Sequence, residues 1–317
     1  MAGYALRRLA VALLLVWLVT SLVFLVIHLI PGDPAELLLA QGGVSADPAM
    51  VAALHAKLGL DQPLWVQYRD YLAGLAHGDF GSSMVDDHPV SEEIALRLPR
   101  TLELVGVAGF IAVLLGLPSG AMAALTAGRW PDQALSTAAG LALSVPVFVV
   151  GTLVVLVLAQ ELHLVPAGGY VPLARDPGRH LLLLLMPAGT IAVGLTATLF
   201  RVSRSAVLEI LPREHVRAAQ ARGLAPRTII FRHVLRNALM PVITVLALHL
   251  GGLLGGTVLV EYVFNYPGLS GTLVDAVSAR DYPEVMAIVL VISVLVVLLN
   301  LVIDLCYGLI DPRLRYG

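Results

Sequence analysis

The chain has 317 residues, 58% of them hydrophobic and only 13% charged, with a formal net charge of -2. Its mean hydropathy of +0.87 excludes an ordinary soluble domain, and nothing in the charge balance suits nucleic-acid binding. One cysteine, Cys306, rules out an internal disulfide or a multi-cysteine metal site, and the one lysine, Lys57, lacks the glycines of an ATP phosphate loop.

In chain order, Arg7 and Arg8 precede an apolar run over residues 9–30. A cleavable signal peptide begins in the same way, but this run is longer than a signal core and long enough to cross a bilayer. A retained first transmembrane helix over 1–30 is expected. Residues 31–100 are soluble in character, with ten acidic residues against four basic ones. Segments 50–58 and 64–75 have helical apolar spacing, so this stretch reads as a small helical cap.

Five further spans are expected at 102–127, 134–160, 181–200, 241–261 and 285–307, with Pro118, Pro146 and Pro187 in or at the edge of three of them. Six spans place both termini on one side of the membrane. Arg7, Arg8, Arg129, the eight arginines between 201 and 236, Arg313 and Arg315 all fall on that side, which the distribution of basic residues assigns to the cytoplasm. The fold class is therefore an all-α integral membrane protein with six transmembrane helices, N-in and C-in. Its parts are the first helix (1–30), an extracytoplasmic cap (31–100), a five-helix core (101–307) with a polar loop at 201–240, and a tail (308–317).

That loop holds the strongest polar interruption of the second half, REHVRAAQARGLAPRTIIFRHVLRNALMP, residues 213–241. Residues 214–222 read as a short helix closed by Gly223, where a left-handed residue is wanted. Pro226 suits the first turn of a second helix, with Ile230, Val234 and Ala238 as its apolar stripe beside Phe231 and Leu235. Further on, Gly251, Gly252, Gly255 and Gly256 form two interleaved small-xxx-small pairs suited to close helix packing, within the chain or against a partner.

Several words resemble one family. RAAQARG (217–223) is similar to the EAA-x-x-x-G loop of bacterial ABC-importer permeases, with Arg217 at the family's glutamate and Glu214 one turn earlier. PGDP (31–34), LGLDQPL (58–64), GDFG (78–81), EYVFNYPGLSG (261–271, with Ser270 at a family glycine) and DPRLR (311–315) all resemble the B-type permease of dipeptide, oligopeptide and nickel importers. The resemblance covers essentially the whole chain. It implies half of a translocation pathway in the bacterial plasma (inner) membrane, with no catalytic or metal-binding residue of its own. It also implies a second related permease, two ATPase subunits carrying ATP and Mg, and an extracytoplasmic substrate-binding protein. The coupling helix that docks on the ATPase would comprise Glu214, Arg217, Ala218, Ala219 and Gly223. Without the resemblance, that stretch is a basic amphipathic hairpin on the membrane surface.

Other chemistry is sparse. The nine histidines have no metal-ligand spacing. His249, Ser144 and Asn300 are the candidates to line a passage; Asp304 reads as the partner of a cytoplasmic arginine, and Glu103 and Glu261 read as solvated at the external interface. Gly268–Gly271 matches the GxSG of rhomboid proteases, but no base is apparent for the serine. GDFG lacks every other part of a kinase and reads as a turn. The rival class is a stand-alone secondary transporter or channel, for which a clear internal repeat and midplane charges are wanting.

Overall fold

The computed structural model describes residues 2–29, 48–58 and 61–310; the PGDP word, residues 59–60 and the DPRLR tail lie outside the described residues. The helices are α1 (Ala2–Leu29), α2 (Pro48–Leu58), α3 (Leu64–Ala76), α4 (Val90–Leu125), α5 (Trp130–Ser144), α6 (Val147–Glu161), α7 (Pro177–Ile210) and α8 (Glu214–Ala221). They continue with α9 (Pro226–Gly256), α10 (Val258–Val263), α11 (Leu269–Ala279) and α12 (Tyr282–Ile310). Two compact units result, Met1–Pro99 with Thr272–Gly317, and Arg100–Gly271.

Five helices are long and apolar enough to cross a membrane, and α5 with α6 makes a sixth if the pair is one span. The span expected at 134–160 is bent by 98° between these two helices. Val145 is extended (φ -97, ψ 126), as the residue before a proline prefers, and Pro146 supplies no N–H to the preceding turn. Pro187 leaves α7 unbroken. The exposed Pro118 and Pro241 likewise leave α4 and α9 unbroken, so the break at 145–146 is a local choice of backbone and not a consequence of proline alone.

In the first unit α1 packs along α12, and Arg8 pairs with Asp304 at 2.8 Å, the arginine partner expected for that aspartate. The other end of α1 is held by α3: Phe24 meets the rings of Tyr68 and Tyr71 at 5.3 and 5.6 Å, and Ser21 Oγ lies 2.6 Å from the Tyr68 hydroxyl. Burial pushes the Tyr71 phenol up to about 12. Leu13, Leu14 and Trp17 remain exposed, as a lipid-facing surface requires. GDFG forms a turn: Gly78 and Gly81 have φ +77 and +81, and Gly81 N donates to Asp79 Oδ1 at 2.8 Å. The turn leads to Ser83, whose hydroxyl donates to Asp281 Oδ2 at 2.5 Å, tying loop 77–89 to the start of α12.

The second unit is built around α7, against which α5, α6 and α9 pack. Asp176 caps it by accepting the Arg179 N–H at 3.0 Å, and its buried side chains run from His180 to Ile210. α4 crosses α7 closely because Gly116 and Gly120 have no side chain: a Cβ at Gly120 would stand 2.5 Å from the Phe200 carbonyl oxygen. Ser203 Oγ then donates to the Leu117 carbonyl at 3.0 Å.

Candidate functional site

The stretch 213–241 forms a hairpin of α8 and the start of α9. α8 ends in a Schellman motif: Gly223 N donates to Gln220 O at 2.9 Å and Leu224 N to Ala219 O at 3.4 Å, with Gly223 at φ +72. Pro226 then opens α9 at its first residue. Residues 229–235 wind in wider, π-type turns, which shifts the inward phase. Ile229, Val234 and Ala238 are buried, Ile230 and Leu235 only partly, and Phe231 is 69% exposed. The expected stripe beginning at Ile230 is therefore displaced by one residue at its start.

Val216 and Ala219 face inward and join Ala121, Ala124, Val207, Ile210 and Val234 in one apolar cluster. Glu214, Arg217 and Ala218 face out. Ala219, expected among the docking residues, does not face out with Ala218: adjacent helical residues lie about 100° apart, and Ala219 roots α8 in the chain's own core. Beside this cluster, Arg204 grips Asp132 through two bonds of 2.6 and 2.8 Å, and Asp132 also accepts the Gly128 N–H at 3.0 Å. α5 is thereby clamped to α7 by a bidentate pair. Nothing in the local sequence around Asp132 named its partner 72 residues away.

At the opposite ends of these helices, of the two glutamates expected to be solvated, Glu261 is buried whereas Glu103 stays partly exposed. Glu261 is 2% exposed and accepts from Thr257 Oγ1 at 2.7 Å, Gly271 N at 2.6 Å and Thr101 Oγ1 at 3.4 Å. Gly268 lies against the same carboxylate, so closely that a Cβ there has no room. Glu103 faces Nε2 of the buried His180 at 2.8 Å, while His180 Nδ1 donates to the Val171 carbonyl at 2.7 Å. Arg100 covers the Tyr170 ring at 4.4 Å, and the Tyr266 hydroxyl donates to the Arg100 carbonyl at 3.0 Å. Burial pushes the Tyr266 phenol well above its ordinary value. Ser270 is fully buried and donates to Leu254 O at 3.1 Å, with its Oγ 3.0 Å from Thr257 Oγ1, so its hydroxyl is structural.

The helices therefore join an exposed, capped hairpin to a bundle of membrane-crossing length. Residues 116–316 match the family model described as the binding-protein-dependent transport system inner membrane component, and residues 1–105 match that of its N-terminal region. The chain belongs to this family. Glutathione transport system permease proteins GsiC of Salmonella choleraesuis and Escherichia coli are 40% and 39% identical to it over 316 residues, covering 100% of each chain. A solved structure of the inward-facing MetNI methionine ABC transporter shares the fold, with a TM-score of 0.54 and 20% identity over 69% of this chain and 96% of that one. The protein is thus an inner-membrane permease component of an ABC importer, and the secondary-transporter reading falls away.

In the permease, Ser144 sits at the break between α5 and α6, exposed, its hydroxyl bonded to Gly140 O at 2.9 Å. His249 is exposed on α9 and, among the described residues, has no hydrogen-bond partner. Asn300 is exposed on α12, in the other unit. Gly252 and Gly256 meet nothing within 4 Å, and Gly255 is exposed, while Gly251 is partly buried. Within the chain, close packing falls to Gly116 and Gly120 instead. Those two were open to sequence reasoning as a small-xxx-small pair of α4.

Proposed function

We propose that the permease imports a small peptide of the glutathione type and is driven through α8, which docks in a cleft of an ATPase subunit. The observation that carries this reading is the asymmetry of α8. Its inner face is rooted in the core by Val216 and Ala219, its end is closed by Gly223, and its outer face at Arg217 and Ala218 is open. A short rigid helix of this kind transmits a push on its outer face to α4, α7 and α9. The relatives' glutathione systems support the substrate class. The exposed Gly252–Gly255–Gly256 face suits a second permease. The unwound backbone at Val145–Pro146 suits the wall of an aqueous passage, because irregular backbone at membrane depth needs protein or water around it.

The test is made on the reconstituted importer. Ala218→Glu should leave insertion and expression intact but lower transport and binding-protein-stimulated ATP hydrolysis together. Even a docking loss of ~2.8 kcal/mol is about a hundredfold. A cysteine placed at Gln220 should cross-link to the ATPase. Normal transport by Ala218→Glu at normal expression would leave α8 a membrane-surface hairpin.

A further inference from the structure

Loop 77–89, the first turns of α4, the second half of α11 and the start of α12 enclose a polar pocket of about 380 Å³, all within one compact unit. Its wall carries Asp86, Glu93, Asp275, Asp281 and Glu284 against Arg97 and His88. Most of these charges are already engaged. Arg97 Nε donates to Glu93 at 2.5 Å, His88 Nδ1 is bonded to Asp86, and Asp281 accepts from Ser83 Oγ and from the Met84 N–H. Glu284 is different. It is only 9% exposed, it lines the pocket, and its carboxylate has no hydrogen-bond or ion-pair partner among the described residues. His88 Nε2 is likewise buried in this wall without a partner.

The Glu284 carboxylate opens on the pocket, where water or a docked donor must satisfy it. Metal ions fit poorly: among the described residues, no three His, Cys, Asp or Glu side chains converge to hold one. Acceptors spread around a wall suit an organic cation with several donors, above all a guanidinium, whose five N–H groups reach in different directions.

We propose that this pocket receives a basic side chain, arginine or lysine, projecting from the extracytoplasmic binding protein, with Glu284 as its anchoring carboxylate. The inference rests on the topology read from the arginine distribution, which puts loop 77–89 outside. Charge complementarity selects the partner: the pocket is the acidic counterpart of a basic knob, on the face that meets the binding protein. Such a docked side chain pairs with Glu284 and ties loop 77–89, α11 and α12 to the same partner. Arrival of the binding protein thereby loads the start of the last membrane helix.

The experiment measures ATP hydrolysis by the complete reconstituted importer as its binding protein is titrated in. Glu284→Gln keeps the shape and removes the charge. It should raise the half-saturating concentration of binding protein about tenfold, weaken the dependence on salt, and let the rate recover at saturation. Asp275→Asn, on the adjoining helix, should shift it in the same direction and serves if Glu284→Gln fails to assemble. Unchanged half-saturation in the assembled variants overturns the proposal. A fall in maximal rate at unchanged half-saturation assigns the pocket to substrate passage and overturns it equally. Labelling of a cysteine at Asp86 only from the cytoplasmic side sinks the topology as well; labelling from outside with unshifted half-saturation sinks the pocket alone.

Discussion

Glu261 accepts from two threonine hydroxyls and one backbone N–H at 2% exposure, so its removal strands donors that water cannot reach. Each stranded donor costs about 1–3 kcal/mol. Glu261→Ala is therefore expected to lower the melting temperature of the purified complex clearly, and Glu261→Gln, which keeps one acceptor oxygen, to lower it less. A similar logic governs Asp86 and His88. The neighbouring Ser83 hydroxyl and the His88 ring hold the Asp86 carboxyl below its ordinary value, and the bond to Asp86 raises His88 above its own. The lowered carboxyl stabilises above the normal aspartate range and loses this as pH falls through its depressed pKa. The raised imidazole stabilises at low pH and loses this as pH rises through its elevated pKa. Their mutual contribution is therefore greatest between the two pKa values and falls on either side. In Asp86→Asn the His88 resonance should titrate at lower pH than in the wild type, as NMR of labelled histidine would report; an unmoved titration would mean that the pair does not form.

At the scale of elements, glycine acts in two unlike ways along these helices. Gly120 is the contact point of α4 on α7, where an added Cβ meets a backbone oxygen that cannot swing aside. Gly120→Ala should cost about 1–3 kcal/mol through overpacking, read as reduced thermal stability. Gly252→Ala has open space within 4 Å and should leave that stability unchanged, while weakening co-purification of a second permease if that face is the subunit contact. Gly223 serves conformation rather than space: it has φ +72 and nothing near it. Gly223→Val places a β-branched residue in the left-handed region at about 1–2 kcal/mol. This should loosen α8 and reduce coupling without preventing insertion, measured as stimulated ATP hydrolysis.

For the whole molecule, thiol labelling reports which face is outside. With Cys306 replaced by serine, a cysteine at Asp86 should react with an impermeant thiol reagent added outside intact cells. One at Gln220 should react only after permeabilisation. The reverse pattern would invert the topology and remove α8 from the reach of any ATPase. The two sites fall in different compact units, so the pair tests the orientation of each unit separately.

The sequence by itself determined the helical membrane character, the positions of most spans and the capped hairpin at 214–226. Each depends on quantities local to the chain: summed hydropathy over a window, a glycine where a helix must end, a proline where one begins. The family words were legible for the same reason. Only the tertiary structure decided that Ala219 turns inward while Ala218 turns out, since that depends on where α4, α7 and α9 stand. It also decided that Asp132 is clamped by Arg204, that Glu261 is buried, and that Glu284 faces a pocket without a partner. The bend at Val145–Pro146 belongs here too. A proline permits a break, but Pro118, Pro187 and Pro241 all leave their helices continuous, so the proline alone does not say where one occurs.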